Sequence, residues 1–190
     1  MRRKDDQKQL SIKQAVIKTI LAEGFHGASI SKIAKAAGVS PATVYVYYDS
    51  KDAMLRDIYK EYSEDIYTYV VKRVTREMDG KQLIESLVRS YYNYITEHGE
   101  VFYFVEQFSS CPALVNNCRN RHNRSQVGML LDDLKKRQVI KNVDNITITA
   151  LMFNPVKSIA LQPEVRPEVK SGVLEDLIRM IQDALLKKQP

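Results

Sequence analysis

The tetrapeptide Gly38-Val39-Ser40-Pro41 constrains this chain more than any other feature. A glycine able to take positive φ is followed by a helix-capping serine and then by a proline. The fixed φ and missing N–H of that proline suit the first position of a helix. The spacing predicts one helix stopping near Ala37 and another starting at Pro41. Upstream, Ser29 is an N-cap for the first of the pair, whose Ile30, Ile33, Ala34 and Ala37 fall on one face. Downstream, Asp49-Ser50 caps whatever follows, so the second helix can make only about two turns. Two short helices joined by a glycine turn within about 20 residues form a helix-turn-helix. Small Ala34 and Ala37 let the helices cross closely, with Val39 and Val44 filling the angle between them.

The same punctuation continues through the chain. Glycine is scarce, 7 in 190 residues, and no alternation of period two is long enough for a sheet. Residues 10–23 predict a first helix with Ile12, Ala15, Val16, Thr19 and Ile20 on its inner face. Gly24 closes it in a left-handed conformation, Phe25 plugs the core and His26 is exposed. A long helix, bent or straight, is expected over 51–78. Further helices are expected over 82–97 and 101–109, from Pro112 to about Lys136, and over 145–161 and 168–187. Pro163 and Pro167 mark the connection between the last two. The fold class is therefore all-α. A three-helix N-terminal helix-turn-helix domain, 1–50, precedes a C-terminal helical bundle of about six helices, 51–190.

Charge separates the same two parts. Residues 1–60 hold 11 Lys and Arg against 6 Asp and Glu, and the remainder holds 18 against 17. A basic N-terminal third on a near-neutral body points to a polyanion partner. The exposed side of the second short helix has matching chemistry. Thr43 can donate to a phosphate or a base edge, and Tyr45 and Tyr47 are long donors on rigid rings. Pro41 and Ala42 are small enough to meet thymine methyls, and Lys51 opens the next helix where a phosphate is favoured. Singly, these residues would be an ordinary surface aromatic or a solvated lysine; their common frame is what points to double-stranded DNA.

Residues 23–55 resemble the tetracycline-repressor-like (TetR) family of transcriptional regulators. The resemblance is carried by Gly24-Phe25, Ser29-Ile30-Ser31-Lys32-Ile33-Ala34, Ala37-Gly38-Val39-Ser40, Thr43-Val44-Tyr45-Val46-Tyr47-Tyr48 and Ser50-Lys51-Asp52-Ala53-Met54-Leu55. It departs at Ala42, where glycine is frequent, and at Tyr48, where phenylalanine is usual, so Tyr48 should be a core residue whose hydroxyl needs a partner. The resemblance implies that Thr43, Tyr47 and Lys51 contact the DNA backbone. It further implies that Pro41, Ala42 and Tyr45 lie on bases and that Ser29 holds a phosphate.

Nothing in residues 56–190 forms a catalytic constellation. His26, His98 and His122 are scattered, and Cys111 and Cys118 match no metal spacing and read as buried thiols. No metal or cofactor is expected. Aromatic residues crowd 91–108, which reads either as solid core or as an adaptable effector pocket lined by Tyr62, Tyr91, Tyr103, Gln107, Phe108, His122, Met129 and Met152. Regulators of the resembled family carry a small-molecule pocket in this region. The last two helices are broadly apolar, through Ile148, Met152 and Ile159 on one and Val173, Leu174, Leu177, Ile178, Ile181 and Leu185 on the other. Burying both faces against one small body is difficult, so a homodimer interface is expected there.

These features point to a cytoplasmic homodimeric transcriptional regulator, a repressor released from a palindromic operator by an effector. Its closest rival is a DNA-binding regulator with no effector. A rival of another class, a helical enzyme or adaptor with a vestigial helix-turn-helix, lacks any acid–base pair or nucleophile to support it. It would also have no reason to keep Thr43, Tyr45, Tyr47 and Lys51 on one face.

Overall fold

A computed structural model of the chain describes residues 2–111 and 126–187, with side chains from Asp5 onward, Pro167 excepted. The readings made for Cys118, for His122 and for the first part of the helix after Pro112 lie outside the described residues. Among the described residues the architecture is all-α, with nine helices, no strand and an isolated antiparallel bridge between Ile140 and Leu186.

The chain divides into two compact units. The first holds α1 (Arg2–Gly27), α2 (Ile30–Ala37), α3 (Pro41–Tyr47), α4 (Lys51–Val71) as far as Ser63, and α6 (Gly99–Ser109) from Glu100. Its core forms where the apolar faces read from the sequence meet. Ile12, Val16 and Ile20 of α1, Ile33 and Ala34 of α2, Val44 of α3, and Met54, Leu55 and Ile58 of α4 are all buried. Phe102, Phe104 and Phe108 of α6 complete it, with Tyr59 stacked on Phe108 at 4.2 Å and Phe25 edge-on to it at 5.8 Å.

The second unit holds the rest of α4, α5 (Gly80–Glu97), α7 (Gln126–Lys136), α8 (Asn145–Ala160) and α9 (Pro167–Leu185). Here α5, α8 and α9 pack on one another and α7 packs on α8. Arg89 on α5 ties the layer together, bonded to Glu85 at 2.7 Å and to Glu175 of α9. The aromatic ring of Tyr91 lies 4.7 Å from that of Phe153.

Several boundaries differ from expectation. α1 begins at Arg2, because charged residues can continue a helix without showing any apolar period. α4 ends at Val71 instead of continuing to 78. A turn in which the Val74 N–H reaches the Val71 carbonyl at 2.9 Å replaces its last part. α5 starts at Gly80 because Asp79 and Gln82 form a reciprocal capping box, at 2.8 and 3.0 Å. Gly24 does take positive φ, but with φ 70° and ψ 176° it makes an extended break in place of a left-handed cap.

The apolar surface of the closing helices is also used differently. Ile148, Met152, Leu174, Ile178, Ile181 and Leu185 are buried within their own unit. A single chain therefore does cover most of both faces, because α9 presses on α5 as well as on α8. Of the nine residues read as an interface, Val173 is exposed and Ile159 and Leu177 are half-buried. Val169 and Met180 on α9 and Leu151 and Ile146 on α8 are exposed apolar residues of the same two helices.

Candidate nucleic-acid interface

The turn between α2 and α3 is held by its own backbone. Gly38 lies at φ 68°, ψ 30°, the left-handed region where a side chain is costly. Its N–H reaches the Lys35 carbonyl at 3.2 Å, and the Val39 N–H reaches that of Ala34 at 3.0 Å. These paired bonds are a Schellman closure, which satisfies the last carbonyls of α2 and sends the chain off at a sharp angle. Both serines cap as read: Ser29 Oγ accepts from the Lys32 N–H at 3.3 Å and Ser40 Oγ from the Thr43 N–H at 3.1 Å.

Val44 then fixes the rotation of α3. Its side chain is wholly buried, and Tyr48, at the C-cap, is 6 % exposed. With that side turned inward, Pro41, Ala42, Tyr45 and Val46 share the opposite face, Tyr45 being 55 % and Val46 78 % exposed. The surface is a phenol flanked by small and branched apolar groups. It is suited to base edges and thymine methyls in a major groove, and poorly suited to solvent. Val46 belongs to this face although the sequence reading did not name it. One turn from Ala42 and opposite Val44, it was recoverable from helical spacing alone.

The residues assigned to phosphates make hydrogen bonds within the protein. Lys51 turns back into its own unit, where its ammonium donates to the Phe25 carbonyl at 2.6 Å and the Ala28 carbonyl at 2.5 Å. Two of its three N–H groups are thereby committed to the turn after Gly24, leaving one for an external acceptor. Thr43 Oγ1 lies 2.9 Å from Ser40 Oγ. The Tyr47 hydroxyl donates to Asp5 Oδ1 at 2.7 Å, and that bond to a carboxylate raises the phenol's pKa. Ser29 is half-buried, with its oxygen engaged in capping α2. The DNA set thus separates into an exposed face of α3 and a group of polar residues bonded within the protein.

Tyr48 bears out its reading as a core residue, but its hydroxyl has no hydrogen-bond partner among the described residues. Burial is the main cause that pushes its pKa up.

The residues read as an effector pocket are divided between the two units. Tyr62, Tyr103, Gln107 and Phe108 belong to the first unit, and Tyr91, Met129 and Met152 to the second. Phe108, Tyr91 and Met152 are buried, while Tyr103 and Met129 are exposed. Gln107 lines an open cleft of about 440 Å³ together with Phe25, Glu106, Ser110 and Cys111. Cys111 is half-exposed there instead of buried. No group of three or more metal-ligating side chains occurs among the described residues, and none of their helices is long and apolar enough to cross a membrane.

Comparison with known proteins agrees with this geometry. Residues 14–58 match the model of the bacterial regulatory proteins of the tetR family. The fatty acid metabolism regulator protein of Bacillus subtilis (strain 168) is 26 % identical over 86 residues, covering 45 % of this chain and 44 % of that protein. The HTH-type negative transcriptional regulator IcaR of the biofilm operon icaADBC, from Staphylococcus epidermidis, is 25 % identical over 112 residues, 58 % of each chain. The chain thus spans about half the length of these curated relatives. Over nearly its whole length, 99 % of this chain and 100 % of the other, it superposes on a TetR family transcription regulator from Marinobacter aquaeolei VT8, with a TM-score of 0.84 at 25 % identity. These relatives are transcription regulators, not enzymes. Over residues 14–58 the chain is thus similar to the bacterial regulatory proteins of the tetR family, and over its length to a TetR family transcription regulator of known structure.

Proposed function

We propose that this protein binds a palindromic operator in double-stranded DNA as a twofold homodimer and represses transcription in the cytoplasm. Residues 1–50 would serve as the DNA-binding domain and 51–190 as the dimerisation and effector domain. The observation that carries this reading is the exposed face of α3. Tyr45 and Val46 stand out to solvent beside Pro41 and Ala42, on a part of the chain that carries most of its net positive charge. An apolar, phenol-bearing surface is costly in water and gains contacts in a major groove. Repression is favoured by IcaR, whose name makes it a negative regulator.

Release by a small molecule is the second half of the proposal. The Gln107 cleft is its support, since side chains from α6 and the turn after Gly24 meet there around open space. The effector-free reading has its own support in Phe108, Tyr91 and Met152, which are buried in core positions.

A mobility shift with the duplex upstream of the protein's own gene tests the proposal. Wild-type protein should retard that duplex in preference to a scrambled one. Tyr45→Ala should lower the preference roughly tenfold, the order expected for one base-reading side chain, about 1–3 kcal/mol. Equal retardation of both duplexes by the wild type would contradict a sequence-reading role for α3.

A further inference from the structure

Bases are told apart in a major groove mainly by paired hydrogen bonds, from Arg or Lys to guanine, from Asn or Gln to adenine, and from cytosine to a carboxylate. α3 carries none of those side chains; it reads Pro41-Ala42-Thr43-Val44-Tyr45-Val46-Tyr47. Two of its three hydroxyls are engaged inside the protein. Thr43 Oγ1 lies 2.9 Å from Ser40 Oγ, and the Tyr47 hydroxyl donates to Asp5 Oδ1 at 2.7 Å. The third belongs to the exposed Tyr45, and one phenol cannot replace a two-bond pair. What α3 presents is instead apolar. Val46 is 78 % exposed, more than any other large apolar side chain among the described residues. The exposed Ala42 stands one turn before it, their Cβ atoms about 5–6 Å apart.

One apolar group projects from the bases into the major groove, the 5-methyl of thymine. Against a guanine or cytosine edge, the isopropyl group of Val46 would strip water from an acceptor or an amino group and return no hydrogen bond. Against a thymine methyl it removes apolar surface from water on both sides. We infer that α3 reads its operator through thymine methyl groups, with Val46 as the specificity-determining residue and Ala42 beside it, so that each half-site is thymine-rich where α3 lies. The inference rests on the DNA-binding reading above and names the base chemistry that this face selects. Charge complementarity sets DNA as the occupant, since residues 1–60 hold 11 Lys and Arg against 6 Asp and Glu.

Uracil differs from thymine by that methyl alone and pairs with adenine in the same way. Two labelled duplexes from upstream of the protein's own gene are therefore prepared, identical except that one carries deoxyuridine at every thymidine. Full-length wild type and Val46→Ala are titrated into each, with melting temperature as the folding control. Burying one methyl changes affinity about fourfold, so a dimer meeting one in each half-site should bind the uracil duplex roughly 15-fold more weakly. Val46→Ala should lose several-fold on the thymine duplex and little on the uracil duplex, where the group it would have touched is already missing. Equal wild-type affinity for the two duplexes would overturn the inference and leave the DNA-binding reading standing. A uracil penalty undiminished in Val46→Ala would also overturn it, because the methyls would then act through another residue or through the shape of the duplex. If the wild type bound neither duplex, the DNA-binding reading would fall and this one with it.

Discussion

Lys51 and Tyr48 are where single side chains depart furthest from what their positions suggest. Lys51 reads as a phosphate ligand because it opens a helix beside the recognition element, but its ammonium bonds the carbonyls of Phe25 and Ala28. No sequence pattern announces such a bond, since its acceptors are main-chain atoms more than twenty positions away. Lys51→Met should leave both carbonyls without this donor and cost about 1–3 kcal/mol, a melting temperature lower by several degrees at any salt concentration. A variant with wild-type stability and uniformly weaker DNA binding would return Lys51 to the phosphate role alone. Tyr48 is the converse case, because burial was legible from the aromatic run and the missing partner was not. Tyr48→Phe removes a buried hydroxyl with no partner among the described residues, and should stabilise the protein by on the order of 1 kcal/mol in chemical denaturation at neutral pH. Its folded-state pKa is raised, so the folded protein holds the phenolic proton more tightly than the unfolded chain does. This contribution is fully present below the unfolded value of about 10 and is lost as pH rises from there through the raised folded value. Denaturation curves above pH 10 should therefore show the advantage of Tyr48→Phe widening; a constant gap would contradict the direction of the shift.

Helix boundaries were legible where local chemistry sets them. Ser29, Gly38, Ser40 and Pro41 act within a few residues of themselves, and the structure uses each as read. Gly38→Ala should cost about 1–2 kcal/mol, entirely from the left-handed backbone, since nothing lies within 4 Å of where its Cβ would stand. Gly99→Ala has equally open space and no positive φ, so its effect should stay within about 0.5 kcal/mol. Equal losses at the two sites, measured by urea denaturation, would mean that the turn is not what strains Gly38. Boundaries set at longer range were not legible. The apolar spacing of α4 runs on to Val74, so nothing in it foretells the turn at Val71. The first turns of α1 carry no apolar residue at all, and the bond that secures them comes from Tyr47. The face of α9 was legible as apolar, but apolarity cannot say whether a face meets its own chain or a second copy.

For the whole molecule the proposed dimer and the proposed DNA contact stand or fall together, because a palindromic operator needs two recognition helices held about 34–36 Å, or a multiple of it, apart. With Ile181 and Leu174 buried inside the unit, a dimer through the closing helices would use Val169, Val173 and Met180 of α9 and Leu151 of α8. Val173 is 44 % exposed, so Val173→Glu should spare the subunit fold and place two carboxylates against each other across the axis. Sedimentation should then show monomers at micromolar concentration and DNA affinity should fall; a dimeric Val173→Glu protein would move the interface elsewhere. The central claim, that this basic N-terminal third grips a duplex, is tested most directly by titrating wild-type protein into a labelled duplex from upstream of its own gene across a range of salt concentrations. Neutralising about 6–10 phosphates per dimer predicts that log K falls against log[salt] with a slope of roughly −5 to −9. Undetectable binding, or an affinity indifferent to salt, would contradict the account.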